Sequence, residues 1–389
     1  MKKSASNPSR LKVGKIPQAL LERLLAKNRI SDPRVIIGPR IGEDAAALDF
    51  GENLVVATTD PITFASDLIG WYVVHINAND VAVMGAKPKW FLCTALFPES
   101  AAAKDVEGLF DQIMEACRSL EISLIGGHAE ITAGLDRTIA VGTMLGEVGP
   151  AGLVTSAGAR PGDEIILAGE IAVEGTSLLA REFGEELRAA GASKADLEAA
   201  RRLLREPGIS VVRAALQACA AAKPHALHDP TEGGLATGLM ELAKAAGVGV
   251  EIEEEAVPIM PLCRDFCHRL GLKPLGLIAS GSLLITASHA ESGRIAAALQ
   301  SAGITTTIIG KIIRQEAGLK ILRRGKARNL PRFSRDEIAR LTEDKRSLRG
   351  ASVDLRPLGR PGEGYLGLRT LFACTGTTQR RVGSPRRRR

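Results

Sequence analysis

The sequence predicts an α/β (α+β) fold in two domains, and three observations carry that prediction. The chain has 389 residues, more than one minimal core needs. Runs of β-branched and aliphatic residues alternate with stretches of helical apolar periodicity. A segment rich in Gly, Pro, Ala and Ser, Gly149 to Gly162, separates two such series. The expected boundaries are an N-terminal domain over 16–150, a C-terminal α/β domain over 160–325, and a basic tail over 341–389 whose weak periodicity and Arg-Pro and Gly-rich pieces predict disorder.

In the first series, Leu20, Leu21, Leu24 and Leu25 give a helical stripe from Pro17 to Lys27. Val35 to Ile37 and Leu54 to Thr59 read as strands, with Gly42-Glu43-Asp44-Ala45-Ala46 a small-residue loop between them. Asp67 is placed to cap a long helix to about Met84, which Gly85 and Pro88 end. Trp90 to Phe97 is a strand and Lys104 to Leu120 a helix. A short strand, Ile122 to Ile125, ends at Gly126-Gly127, and a longer one runs from Arg137 to Val148. The second series opens with the strand Glu164 to Ala168, and helical stretches follow to Ala222. Ala226 to His228 is a short strand, and Thr231 to Ala246 a helix with Gly-Gly at its start. Strands near 248–252 and 282–286, a helix from Glu291 and a strand from Thr305 complete a compact domain near Leu322.

Composition removes several function classes. Hydrophobic residues make up 45% and charged residues 24%, as in globular proteins, while aromatics at 3% offer few platforms for stacking bases. The net charge of +7 is concentrated. From Leu341 onward twelve Lys/Arg face four Asp/Glu, so the preceding residues are close to neutral and are no basic nucleic-acid binder. Polyanion contact is expected only non-specifically, through the tail. Met1 to Arg10 lacks the apolar core of a secretory signal, and the most apolar stretch, Leu68 to Ala86, is broken by His75, Asn77, Asn79 and Asp80. The expected location is the cytoplasm, with no membrane contact. Six cysteines are no disulfide framework at this length, and Cys263 and Cys267, spaced on an expected amphipathic helix, read as packing residues rather than zinc ligands.

No Walker A, HExxH or kinase catalytic-loop motif occurs. What recurs is an acid or amide where a strand or helix meets a Gly-rich turn: Asp44 in GEDAA, Asp60 in ATTDP, Asn79 and Asp80 in NANDVAVMGAKP, Glu130 in GGHAEIT, and Asp229 in HDPTEGGL. Carboxylates repel a triphosphate unless Mg²⁺ stands between them, held by oxygen ligands. Neighbouring glycines let backbone N–H groups approach phosphate oxygens. Singly, each piece has a plainer reading. Asp44 suits a turn, the Asn79-Asp80 pair a solvated helix face, Gly126-Gly127 a turn, and His228-Asp229 the cap region of the following helix.

The order and spacing of these pieces, over roughly Ile16 to Arg324, resemble the superfamily of AIR synthase, HypE, thiamine-monophosphate kinase and selenophosphate synthetase. The stretch HDPTEGGLATGLMELAKAAGVGVEI is similar to the HypE branch. The resemblance implies an ATP- and Mg²⁺-dependent enzyme that phosphorylates or activates a carboxamide, carbonyl or phosphate oxygen, in hydrogenase maturation for the HypE branch. It implies a homodimer through the N-terminal domains, with ATP near that interface, and a maturation-factor partner. Carried over by motif, Asp44, Asp60 and Asp80 would bind Mg²⁺ and phosphates, with Asn79 in support and Gly42 beside Asp44. Gly126, Gly127 and Glu130 would close the phosphate side. Asp229, Gly233 and Gly234 would face the cleft from the second domain, and Asp44, Asp80 and Asp229 would be catalytic.

Two departures stand out. HypE proteins end in a cysteine that carries the carboxamide, whereas this chain ends in Arg386 to Arg389 and its tail cysteine, Cys374, has fifteen residues after it. After the two glycines HypE usually shows an acid, where this chain has His128, as selenophosphate synthetases do. A thiamine-monophosphate kinase-like or AIR synthase-like enzyme, or a non-catalytic scaffold that binds partners through the basic tail, are the alternatives.

Overall fold

Two sheets and the helices packed on them organise the described part of this computed structural model, residues 16–343 apart from Phe64. The cysteine-bearing, Arg-rich tail beyond Glu343 lies outside the described residues, as does the polar N-terminus before Ile16.

The first sheet contains β1 (Val35–Ile37), β2 (Ala46–Asp49), β3 (Leu54–Ile62), β4 (Lys87–Phe97), β5 (Ser123–Ile131) and β6 (Ile139–Val148), in the order β1-β2-β3-β6-β4-β5. Only β4 and β5 pair in parallel; the other ladders are antiparallel. Burial alternates along β6 and β4, because alternate side chains face the helices that cover one side of the sheet. Those helices are α2 (Ile69–Val83) and α3 (Ala103–Ser119), preceded in the chain by a short α1 (Gln18–Leu25).

Every residue of α2 is buried, which explains its almost uniformly apolar sequence and makes its polar members His75, Asn77, Asn79 and Asp80 informative. Its N-terminal cap differs from the sequence expectation. Leu68 occupies the capping position in a left-handed conformation, while Asp67 pairs with Arg181 instead. Two strands also escape the sequence reading. Ala46–Asp49 pairs with β3, so the small-residue loop ends at Ala45, and β5 continues through Gly126-Gly127 to Ile131.

The second sheet contains β7 (Glu164–Ala168), β8 (Ala226–His228), β9 (Gly249–Glu253), β10 (Leu283–Ala287), β11 (Thr306–Ile313), β12 (Leu319–Arg323) and β13 (Lys326–Asn329). Its order is β13-β12-β9-β11-β7-β10-β8. Its helices are α4 (Val173–Glu182), α5 (Gly184–Ala189), α6 (Lys194–Arg202), α7 (Val212–Ala221), α8 (Gly234–Ala246), α9 (Pro261–Leu270) and α10 (His289–Ser301). Cys263 and Cys267 are buried on α9. The chain does not stop packing near Leu322: Leu330, Asp336, Ile338 and Ala339 are buried, and residues 337–343 are helical, so the helix crosses the tail boundary expected at Leu341.

Polar contacts from α2 tie the two series together. Trp71 Nε1 donates to the Leu204 carbonyl at 3.3 Å. Asn79 donates to the Ile209 carbonyl and accepts from Val211 N–H, both at 2.8 Å. Trp71 and Asn79 are eight residues apart, two turns of helix, and therefore face the same segment.

Candidate active site at the seam of the two halves

The acid-bearing loop of the first half is held against the second half by three consecutive residues. Gly42, at φ +85°, lies so close to α8 that a Cβ there would stand 2.7 Å from the Glu241 carbonyl oxygen. Glu43 accepts from the backbone N–H groups of Ser156 and Ala157, both at 3.3 Å. Burial pushes the Glu43 carboxyl up from its ordinary range, and those two N–H groups oppose the shift. Asp44 Oδ2 lies 3.0 Å from His228 Nδ1.

His228 was not among the residues expected to act. It stands at the end of β8, almost fully buried, with Asp44 on one ring nitrogen and Glu241 3.4 Å from the other. Burial alone would lower its pKa, but the two carboxylates outweigh that and hold it well above the usual imidazole value. A charged imidazolium thus balances part of an acid-rich seam. Its only trace in the sequence is its adjacency to Asp229, because the partners lie far away along the chain.

Around this pair the expected carboxylates gather. Asp80, on the buried face of α2, accepts from Thr58 Oγ1 at 2.9 Å, and that hydroxyl also lies 3.1 Å from the Asp44 carbonyl. Burial, then the charges of Asp60, Asp229 and Asp44, drive the Asp80 carboxyl well above its ordinary pKa. Asp229 is also raised, by burial first and by Asp44 next, with Asp60 adding and His228 opposing. These couplings place Asp44, Asp60, Asp80 and Asp229 in one electrostatic field. Asp229 Oδ2 is buried and accepts no hydrogen bond. Asn77 fixes the backbone at Asp60, accepting from its N–H at 2.8 Å and donating to its carbonyl at 3.2 Å.

The remaining expected residues lie elsewhere. Asn79 has both ends of its amide committed to Ile209 and Val211 and fully buried, so it anchors the seam and presents nothing to the carboxylates. Gly126, Gly127 and Glu130 lie on β5, the exposed edge of the first sheet. The ladder aligns Asp60 with Gly142, Cys93 and Gly127 in one row, so Gly127 is three strands, about 14 Å, from Asp60. Glu130 bonds His128 and Thr132 on that edge, and His128 holds its carboxyl below the usual value. Gly233, at φ +81°, precedes α8, and its N–H donates to Asp336 Oδ2 at 2.8 Å. Gly234 packs beneath the Leu277 carbonyl.

Magnesium fits this donor set in kind, since the seam offers oxygen ligands and an unpartnered buried carboxylate oxygen. Among the described residues, however, no three acids, histidines or cysteines converge on one point as a finished cage.

Sequence comparison decides the family. The model of AIR synthase related protein, N-terminal domain, matches residues 42–148, and that of AIR synthase related protein, C-terminal domain, matches 160–320. The chain belongs to the AIR synthase-related family. Within it, the chain is 32% identical over 288 residues to carbamoyl dehydratase HypE of Cupriavidus necator, covering 70% of this chain and 78% of that one. It is 28% identical over 319 residues to a putative hydrogenase expression/formation protein of Methanocaldococcus jannaschii, covering 79% and 91%. A crystal structure of hydrogenase maturation protein HypE in complex with ATP superposes with a TM-score of 0.64 at 24% identity, over 78% of this chain and 92% of that one. The two-domain fold expected from sequence is therefore the family's fold, and among its members the chain is HypE-like. No described helix is long and apolar enough to cross a membrane.

Proposed function

We propose that this protein is a HypE-like, ATP-dependent enzyme that activates a substrate oxygen (carboxamide, carbonyl or phosphate) by phosphorylation, in hydrogenase maturation. The observation that carries the reading is the shared electrostatic field of Asp44, Asp60, Asp80 and Asp229 at the seam, from two halves of the chain, with one buried oxygen left without a partner. Four carboxylates in one field call for a cation, and a nucleotide triphosphate brings both the cation and the missing oxygens.

In this reading Asp44, Asp60 and Asp80 hold magnesium, whose charge would draw electron density from the phosphoryl group. Asp229 orients the acceptor from the second half. The acceptor oxygen attacks the γ-phosphorus, forming the new P–O bond as the bond to ADP breaks, so positioning and charge neutralisation do most of the work. His228 keeps Asp44 in place, and Thr58 does the same for Asp80. Residues 16–150 form the nucleotide-binding domain and residues 160–325 the acceptor side. The exposed β5 pairs with a second copy, which brings Gly126, Gly127 and Glu130 toward the partner's nucleotide. A relative, HypE, has been crystallised as a HypE–HypF complex, and a maturation factor of that kind suits this chain as well.

Calorimetric titration with ATP, with and without Mg²⁺, tests the reading on the wild type, Asp44→Asn and Asp80→Asn. Magnesium-dependent binding that both substitutions abolish is the expected result. Binding that is absent in the wild type, or indifferent to both substitutions, would refute it.

A further inference from the structure

The last hairpin of the second sheet carries a charge pattern that the seam does not use. Between Ala317 and Arg335 the chain has seven Lys/Arg and no Asp or Glu, although the residues before the tail are close to neutral as a whole. β12 and β13 pair antiparallel across the turn Arg324-Gly325, where both residues have positive φ, as a two-residue hairpin turn requires. β13 is the outer strand of its sheet, and β8, which carries His228, is the strand at the opposite edge. Six strand spacings, about 28 Å, separate the two.

All four residues of β13 are exposed, and half of its backbone is open. Leu330 N–H donates to the Leu319 carbonyl at 2.9 Å, which fixes the phase of the ladder. In that phase Lys326 and Arg328 bond to β12, whereas Ala327 and Asn329 turn their N–H and C=O groups outward. Several of the cations are open too. Arg323 pairs with Glu254 at 3.4 Å, Arg335 pairs with Glu343, and Lys320 donates to the Asn329 side chain at 2.9 Å. The side chains of Arg324, Lys326, Arg328 and Arg332 have no partner among the described residues. Arg332 and Lys320, with Asn329 and Gly318, line a cavity of about 330 Å³ at the open end of the hairpin.

Such an edge can take an added strand, and its charge selects which. A second copy of this chain would bring Lys326 and Arg328 against their own kind, and like charges across a ladder are unfavourable. The chain's own tail, with twelve Lys/Arg against four Asp/Glu from Leu341 onward, is excluded for the same reason. A nucleic acid would meet the cations but not the alternating donors and acceptors of the edge, and β13 has no aromatic ring on which a base could stack. We infer that the outer edge of β13 is a docking strand for an acidic, extended segment of a partner protein. The segment pairs with the backbone of Ala327 and Asn329, sets alternate carboxylates against Lys326 and Arg328, and places a further one by Arg332 in the cavity. Main-chain pairing supplies affinity, and charge fixes register and the choice of partner. This surface depends on the hairpin alone, and neither nucleotide nor magnesium enters it.

The test uses the full chain at low ionic strength and three labelled probes of equal charge: the capped peptides (Glu-Thr)4 and (Glu-Pro)4, and a uridine pentanucleotide. Proline has no N–H to give a ladder, so only the first peptide can add as a strand. In anisotropy titrations (Glu-Thr)4 should bind about fivefold or more tighter than either comparator, and hydrogen exchange should slow at the Ala327 and Asn329 amides. Ala327→Pro removes an outward N–H and leaves the β12 ladder intact, so it should abolish the difference between the peptides without weakening (Glu-Pro)4. Lys326→Glu with Arg328→Glu should weaken (Glu-Thr)4 about tenfold, and carries the readout if Ala327→Pro disturbs the hairpin. Equal binding of the two peptides, or a preference that neither variant changes, would assign capture to the basic tail and overturn the docking strand. Tighter binding of the oligonucleotide, or no binding of (Glu-Thr)4, would overturn it as well.

Discussion

Replacing Asn79 separates an anchoring role from a ligand-binding one. Its side chain is fully buried and makes two hydrogen bonds of 2.8 Å, one to the Ile209 carbonyl and one from Val211 N–H. Asn79→Ala leaves a backbone acceptor and a backbone donor buried without partners. Each such loss costs about 1–3 kcal/mol, so the substitution should destabilise the protein by about 2–6 kcal/mol. Asn79→Asp refines the test. Its carboxylate can still accept from Val211 N–H, but it faces the Ile209 carbonyl with a negative oxygen where the native amide donates. Protonation restores a donor, so this variant should regain stability as the pH falls, whereas Asn79→Ala should stay low throughout. Urea unfolding at several pH values, followed by circular dichroism, measures both. A loss below about 1 kcal/mol in Asn79→Ala, or weaker Mg·ATP binding in a variant of unchanged stability, would refute the anchoring role.

Three further outcomes follow from the same geometry. Asp80→Asn keeps an oxygen to accept from Thr58 and removes a charge that burial and three carboxylates oppose, so it should raise the midpoint of thermal unfolding without ligand while abolishing the further rise that Mg·ATP gives the wild type; about 2.7 kcal/mol of ligand stabilisation is expected at a hundredfold excess over Kd. Gly42→Val places a branched side chain against the Glu241 carbonyl at a left-handed position, and should cost about 2 kcal/mol or more in chemical denaturation while weakening nucleotide binding through the displaced Asp44. Glu174 and Asp336 are raised to about 7 in the folded chain, so the stability they contribute is complete below the unfolded carboxyl pKa and is lost as the pH rises through 7; Glu174→Gln should flatten that fall between about pH 4.5 and 7 in a pH series of melting curves.

Elements were legible where one local signal dominated. The period of Leu20 to Leu25 foretold α1, and the apolar run from Trp90 to Phe97 foretold most of β4. They were illegible where partners decided the outcome. Ala46 to Asp49 has little strand propensity of its own and becomes β2 by pairing with β3, and Gly126-Gly127 reads as a turn until the β4 ladder holds it extended. The carboxylates of the seam could be named from motif order, since that order belongs to the family. Asn79 could not be separated from Asp80, because only the three-dimensional placement of Ile209 and Val211 distinguishes neighbours in one helix. His228 and Asp336 stayed hidden for a similar reason: each acquires its meaning from a partner more than a hundred residues away.

The contact between Asp44 and His228 also sets a timetable. It joins residues separated by 184 positions, and at ordinary ribosome speeds of about 5–20 residues per second the imidazole is made roughly 10–40 s after the carboxylate. Until then the loop around Asp44 has neither its counter-charge nor the α8 surface against which Gly42 lies. The nascent N-terminal half therefore emerges with an open acidic loop, and the acid centre closes only after the second half has been synthesised. A truncated chain that stops before His228 would keep much of the first sheet and lack the site.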